Sequence, residues 1–174
     1  NSTCAATPGG TYTNDFWTPE SATTYGCLYA SVKQVRTLKI QKVVAAPYGA
    51  PATYPASGFT ASSDTVGSAW GSAFSLTPTG TGSAGQAVKT ANLVTGQTIN
   101  ISETAPTDPG WAFTSLSCTD GGGNSTIAGL TVSGAGLRFS GDYSAATGSL
   151  APITCTYTNT YTARATLTLV KQVT

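Results

Sequence analysis

The chain has 174 residues, of which only 9% are charged, and its eight basic residues nearly balance its seven acidic ones. A nucleic acid, a membrane surface or an acidic substrate is held by a field of charge, so this composition argues against all three as partners. His is absent, and with it the commonest general base and metal ligand. We therefore expect no cofactor, no metal site and no catalysis on an external substrate.

The same composition favours an all-β secreted protein. Thr, which suits the solvent face of a strand, is abundant, and Gly and Pro mark frequent turns. No apolar run approaches the length that spans a bilayer, so we expect no membrane insertion of this chain. The first residue is Asn1 rather than Met, which is typical of a processed chain or of a fragment.

Residues 1–34 differ from the rest of the chain. They contain aromatic residues without clear alternation, the turn signals Pro8-Gly9-Gly10 and Thr18-Pro19, and two of the four cysteines. We interpret this region as a disulfide-pinned N-terminal extension, or as the remainder of a preceding module.

The following region, residues 35–162, alternates apolar and polar residues in short runs separated by turns rich in Gly, Pro and Ser. The clear predicted strands cover 37–44, 97–103, 112–118, 153–161 and 166–173, and weaker ones cover 72–77, 86–90, 129–132 and 137–139. Several short strands at close spacing indicate a β-sandwich. We predict one sandwich over 35–162 and an extra C-terminal strand in 163–174.

The four cysteines, Cys4, Cys27, Cys118 and Cys155, lack the Cys-x-x-Cys spacing that metal sites normally have. We therefore expect two disulfides, for which three pairings are possible. The pairing of Cys4 with Cys27 and of Cys118 with Cys155 is favoured, because each pair then lies within its own region of the chain. Disulfides indicate an oxidising compartment.

Three polar residues share faces with the apolar residues of predicted strands. By period-two alternation, Lys42, Glu103 and Asn159 point the same way as the Ile and Leu residues of the core. One interpretation places them at strand ends, where alternation no longer implies burial. The other brings them together in the interior, where a neutral Lys amine is a nucleophile, an Asn carboxamide is an acyl electrophile and a protonated Glu polarises its carbonyl. Held in contact, they can form a Lys–Asn amide with loss of ammonia.

Three motifs around these residues, in the same order, resemble those of the CnaB-like (SpaA-type, prealbumin-like) domains of bacterial adhesins and pilins. They are Leu38-Lys39-Ile40-Gln41-Lys42, similar to the first-strand segment with the reactive Lys; Glu103-Thr104-Ala105-Pro106 with Gly110-Trp111, similar to the motif of the catalytic Glu; and Thr158-Asn159-Thr160, similar to the last-strand segment with the reactive Asn. The resemblance covers about residues 36–162. One departure is that Thr107 and Asp108 lengthen the turn after the Glu.

The resemblance implies an immunoglobulin-like (prealbumin/CnaB-type) β-sandwich of seven strands, used as a building block of a stalk or fibre. It also implies an isopeptide bond between Lys42 and Asn159, assisted by Glu103. Such a bond forms within the chain, so it does not make the protein an enzyme for an external substrate.

The end of the chain repeats its first core strand. Segment 166–171 matches segment 37–42 in residue type and register. One face of this repeated strand carries Leu167, Leu169, Lys171 and Val173. The repeat either begins the next module of a longer adhesin, or it is a donor strand that pairs with an exposed sheet edge of a neighbouring copy and builds a filament.

The sequence therefore predicts a structural subunit or stalk module of a bacterial extracellular fibre, either a pilus (fimbrial) filament or an adhesin, secreted to the cell surface. Its expected partners are neighbouring copies of itself or adjacent modules of the same fibre. The alternative is a ligand-binding adhesin domain, in which the long loops 45–68 and 120–129 recognise a host or surface molecule.

Overall fold

The computed structural model describes residues 11–16, 26–31, 35–64, 68–94, 96–140, 151–164 and 171–172. The strands in these ranges are β1 (Thr11–Phe16), β2 (Gly26–Ser31), β3 (Val35–Ala45), β4 (Ser57–Ser63), β5 (Ala73–Leu76), β6 (Ala87–Val94), β7 (Thr98–Glu103), β8 (Trp111–Asp120), β9 (Leu130–Ser133), β10 (Gly136–Ser140) and β11 (Ile153–Tyr161). A single turn of 3-10 helix at Ser83–Gly85 is the one helical element among them. No helix in the described ranges is long and apolar enough to cross a membrane.

The strands after residue 34 form two sheets. One has the order β5-β4-β7-β10-β9, and the other has the order β6-β3-β11-β8. All neighbouring strands are antiparallel except β3 and β11, which run parallel at the centre of the four-stranded sheet. The first and last strands of the sandwich are therefore direct neighbours. The hairpin of β1 and β2 is a separate two-stranded sheet.

The core lies between the two sheets and follows the predicted alternation. In β11 every second residue from Ile153 to Asn159 is buried, and β7 shows the same period from Ile99 to Glu103. The side chains that meet there include Leu38, Ile40, Ile153 and Tyr157 from one sheet and Phe59, Ile99, Ile101, Leu137 and Phe139 from the other. Each fully buried Leu or Ile stabilises the fold by about 1.5–3 kcal/mol.

Aromatic side chains join the two layers. The ring of Phe59 packs edge-on against Tyr157 at 5.0 Å and stacks on Phe74 at 4.9 Å. Trp70, which is 1% exposed, fills the core beside Phe74. The amine of Lys89 lies over the rings of Trp70 and Phe74, at 5.8 Å and 5.1 Å from their centres. This charged side chain of the edge strand β6 therefore points inward.

The predicted β-sandwich is confirmed, although three details differ. The described part of the sandwich contains nine strands rather than the seven that the resemblance implied. The long loop predicted at 45–68 is wrong in its second half, because β4 occupies Ser57–Ser63. The extension at 1–34 contains the unpredicted strands β1 and β2. The strand predicted at 166–173 lies almost wholly outside the described residues.

A disulfide joins the edge strand β8 to the central strand β11. Cys118 and Cys155 are directly opposite each other in the antiparallel ladder, with their Cα atoms 4.0 Å apart, and both are buried. This pair confirms the prediction from the sequence. Cys4 lies outside the described residues, so the pairing of Cys4 with Cys27 stays a prediction.

Replacing the disulfide by Cys118→Ala/Cys155→Ala should destabilise the sandwich. The two residues are separated by 37 positions, and closing a loop of that length is worth about 4 kcal/mol on the chain-entropy model. Urea unfolding of the double variant and of the oxidised parent chain measures this difference. A loss of under about 1 kcal/mol would contradict the stabilising role assigned to the bridge.

Candidate cross-linking site

The three residues singled out in the sequence meet at one end of the sandwich. Lys42 is on β3, and Asn159 is on the neighbouring strand β11. In the parallel ladder Lys42 lies opposite Tyr157, two residues before Asn159, so both side chains project from the same inner face. Glu103 is the last residue of β7 and faces them from the other sheet.

The carboxylate of Glu103 bridges the other two side chains. Its Oε1 lies 2.7 Å from Lys42 Nζ and accepts a hydrogen bond from Asn159 Nδ2 at 2.8 Å. Lys42 Nζ and Asn159 Nδ2 contact the same oxygen atom, so these two nitrogen atoms are also close to each other. Lys42 is 1% exposed, Glu103 5% and Asn159 2%. The structure therefore places all three in the interior, and the interpretation that put them at exposed strand ends is wrong.

The site holds more polar groups than it satisfies. Glu103 Oε2 and Asn159 Oδ1 are buried and have no hydrogen-bond partner among the described residues, and Lys42 Nζ has only the carboxylate of Glu103. Each unsatisfied buried group costs about 1–3 kcal/mol. Burial lowers the pKa of Lys42, while its hydrogen bond to Glu103 and the charge of that carboxylate oppose the shift. Burial thus favours the neutral amine, which is the nucleophilic form of this side chain.

Tyr157 lies beside the site, opposite Lys42 in the parallel ladder. Its hydroxyl donates to the carbonyl oxygen of Ile101 at 3.3 Å, which anchors β11 to β7 across the sandwich. Burial raises the pKa of Tyr157, and the charge of Glu103 adds to that effect, so the phenol stays neutral. By alternation Tyr157 shares the buried face of its strand with Asn159. No sequence signal distinguishes it from an ordinary core aromatic residue.

A cavity of about 240 Å³ lies over the site. Lys42 and Asn159 lie in its wall beside Pro55, Pro78 and Trp111. The remaining lining comes from Val44, the start of β4 and the turn 104–108. The cavity thus lies between the buried groups and the turns at this end of the sandwich.

The turn after Glu103 accommodates its two additional residues by folding against the end of β11. Trp111 N donates to the carbonyl oxygen of Asp108 at 3.1 Å, and Thr162 N donates to that of Gly110 at 2.8 Å. Gly110 has φ of +86°, and a Cβ atom there would lie 2.7 Å from the carbonyl oxygen of Thr162. Only glycine fits this position without displacing the chain.

The residues predicted for the C-terminal strand are mostly beyond what the structure describes. Lys171 is exposed and belongs to no strand. Leu167, Leu169 and Val173 lie outside the described residues. Their predicted role in contacts between modules or between copies therefore stays a prediction.

Comparison with known proteins identifies the class of this fold. The family model described as a prealbumin-like fold domain matches residues 38–161, and the chain belongs to that family. This confirms the resemblance drawn from the three motifs. A search of curated proteins found no match.

Among solved structures, the chain is similar to a bacterial adhesin from Mobiluncus mulieris that contains intramolecular disulfide, isopeptide and ester bond cross-links. The identity is 19%, the TM-score is 0.45, and the match covers 84% of this chain and 47% of that one. It is also similar to the major pilin of Streptococcus pyogenes, with 13% identity, a TM-score of 0.40, and coverage of 90% and 66%. The chain therefore spans about half the length of the adhesin.

The lowered pKa of Lys42 predicts a pH-dependent stability in a chain that keeps this amine unlinked. In Glu103→Ala the carboxylate that opposes the shift is gone, so folded Lys42 binds its proton less tightly than unfolded Lys42. The unfolded state then holds more protons, and the free energy of unfolding rises as the pH increases from neutral toward 10.5. Urea midpoints across this range should increase more steeply in Glu103→Ala than in Lys42→Met/Glu103→Ala. Equal slopes would show that Lys42 does not titrate in this way.

Proposed function

We propose that this chain is a structural module of an extracellular bacterial fibre, the stalk of an adhesin or the shaft of a pilus, and that it is cross-linked internally between Lys42 and Asn159. The observation that carries this proposal is the buried contact of Lys42, Glu103 and Asn159. Membership of the prealbumin-like family and the disulfide between Cys118 and Cys155 support it. The disulfide also fits a location outside the cytosol, on the bacterial surface.

The cross-linking reaction begins with a proton transfer inside the ion pair. Lys42 gives one proton to Glu103, and the neutral Nζ attacks Cγ of Asn159. The bond from Cγ to Nδ2 then breaks, and Nδ2 leaves as ammonia. Of the five protons held at first by the ammonium and the carboxamide, three leave with ammonia, one stays on the new amide nitrogen and one stays on Glu103. Charge is balanced, because the ion pair becomes a neutral amide beside a neutral carboxylic acid.

The product suits the buried site better than the starting groups do. An ammonium and a carboxamide bring five N–H donors into a space with few acceptors, whereas the product amide has one donor and one acceptor. A protonated Glu103 offers one acceptor and one donor in return. The reaction also removes two buried charges, whose desolvation is costly. Because strand pairing already holds the reacting groups together, proximity supplies much of the barrier reduction.

The position of the proposed bond suits a module under tension. The sandwich begins with β3 and ends with β11, and these two strands lie side by side in parallel. A pull on the two ends of the module would slide these strands in opposite directions. A covalent bond between Lys42 and Asn159 would transmit that force directly and leave residues 43–158 unstretched. The bridge from Cys118 to Cys155 would add a second tie to β11.

We further propose that the repeated segment 166–173 begins a following module rather than serving as a donor strand. A donor strand that resembles β3 would be expected to occupy the position of β3 in a neighbouring copy. That position, between β6 and β11, is already occupied by the copy's own β3. The two edges of the four-stranded sheet, which contains β3, are also unfavourable for strand addition. The register of β8 shifts opposite Thr158 and Asn159, and β6 carries the inward-pointing Lys89. The partners of this module are then its neighbours in the same fibre.

Intact-mass spectrometry under reducing conditions tests the cross-link. The parent chain should be lighter than its sequence mass by one ammonia, because Nδ2 of Asn159 is lost. Glu103→Ala, Lys42→Ala and Asn159→Ala should each show the full mass of their sequences. A proteolytic peptide that joins the segments around Lys42 and Asn159 would locate the bond. A full, unmodified mass for the folded parent chain would refute it.

A size measurement tests the assignment of segment 166–173. Light scattering of the purified chain should give a monomer, because the place of β3 is filled within each copy. The matched variant that ends at Arg164 should give the same result. A ladder of oligomers from the parent chain that disappears in the shortened variant would instead support strand donation.

A further inference from the structure

We infer that the end of the sandwich from which the chain leaves is a docking surface for the module that follows. We call this end the exit face; it consists of residues 46–56, 77–86, 104–110 and 162–163. These segments follow β3, β5, β7 and β11 and therefore lie together, at the end that also holds the cross-linking site. The inference rests on the tandem arrangement proposed above, and it adds the surface through which neighbouring modules meet.

The exit face presents aromatic residues of the kind that protein interfaces favour. Tyr48 is 75% exposed. Trp111, which lines the cavity at the same end, packs against Tyr161 at 5.2 Å and against Tyr54 at 6.4 Å, and all three residues are partly exposed. Tyr and Trp are enriched at interfaces because their large rings bury much area with little loss of conformational freedom.

Charge is scarce on the same surface. Among the described residues of the exit face, only Asp108 is charged. Docking on this surface desolvates few charges, a property that it shares with the rest of this charge-poor chain. The segment that carries Tyr48 also contains Pro47, Pro51 and Pro55, whose fixed φ angles reduce the entropy lost when a loop is ordered by a partner.

The connection to the repeated strand is too short to hold the next module away from the exit face. In the register that aligns Thr166 with Thr37, Arg164 corresponds to Val35, the first residue of β3. Only Thr162 and Ala163 then separate the end of β11 from the start of the next first strand. A chain advances at most about 3.5 Å per residue, so that strand begins within about 10 Å of the exit face.

The first residue of this connection, Thr162, is held by a hydrogen bond to the module. The hydrogen bond from Thr162 N to the carbonyl oxygen of Gly110 leaves Ala163 as the one linker residue without a backbone contact to this turn. The absence of a side chain at Gly110 allows this approach. A module tethered so closely has a very high effective concentration at the exit face, so even weak contacts suffice to dock it. The cavity beside Trp111 offers a concave seat for an apolar side chain of that module.

A two-module chain tests this inference directly. Residues 1–163 are joined to residues 35–164 of a second copy, which reproduces the register of the repeat. Hydrogen exchange of segments 46–56 and 104–110 in the first module should be about tenfold slower than in the single chain, because docking covers them. A variant with six Gly and Ser residues inserted after Ala163 should lose most of this protection.

Substitutions separate docking from effects on the fold. Tyr48→Ser should lower the melting temperature of the two-module chain and leave that of the single chain unchanged. The matched control is Val88→Ser, which removes a side chain of 41% exposure from the outer face of the four-stranded sheet. It should have the same effect in both chains.

Two outcomes would overturn the inference. One is equal hydrogen exchange of segments 46–56 and 104–110 in the single and two-module chains. The other is an effect of Tyr48→Ser that is the same in both. The two-module chain with Glu103→Ala in each module keeps the test independent of the cross-link. Slower exchange in that variant would support docking even if the amide never forms. Unchanged exchange in that variant would refute docking, even if the mass of the parent chain shows the amide.

Discussion

The buried ion pair between Lys42 and Glu103 joins the two sheets of the sandwich across its core. Two opposite charges in a dry interior gain little stability over apolar residues of the same size, because each loses its hydration. The pair is also incomplete, since oxygen atoms of Glu103 and Asn159 lack partners among the described residues. A site of this kind is costly as a structural device. It would become favourable if the same atoms reacted as proposed and left a neutral amide.

Strand topology determines what such an amide would do. The reacting residues lie on the first and last strands of the sandwich, and those strands are adjacent and parallel. In an antiparallel meander the ends of a domain are tied only through every strand between them. Here one bond at Lys42 and Asn159 would connect the entry strand to the exit strand, and the disulfide at Cys155 secures the same exit strand to its other neighbour. The end that holds this chemistry is also the end from which the chain continues.

Prediction from the sequence succeeded where alternation was strong. In β3, β7 and β11 large apolar residues alternate with Thr, Asn and Gln, and the buried positions follow that period. It failed for β4, whose inward residues are Ser57, Phe59 and Ala61. A single large residue among Gly, Ser, Thr and Ala does not stand out from a loop. It also failed for β1 and β2, whose aromatic residues show no clear period.

Alternation in the sequence predicts which face each candidate side chain takes, because side-chain direction along a strand depends only on local geometry. The sequence also contains the three motifs in order, favours the pair of Cys118 with Cys155 among three possible pairings, and resembles the family. Only the fold places Lys42 and Asn159 in one sheet and Glu103 opposite them in the other. The fold also brings Tyr54, Trp111 and Tyr161 together where the chain leaves. These contacts join strands distant in sequence, and alternation specifies a face but not a neighbour.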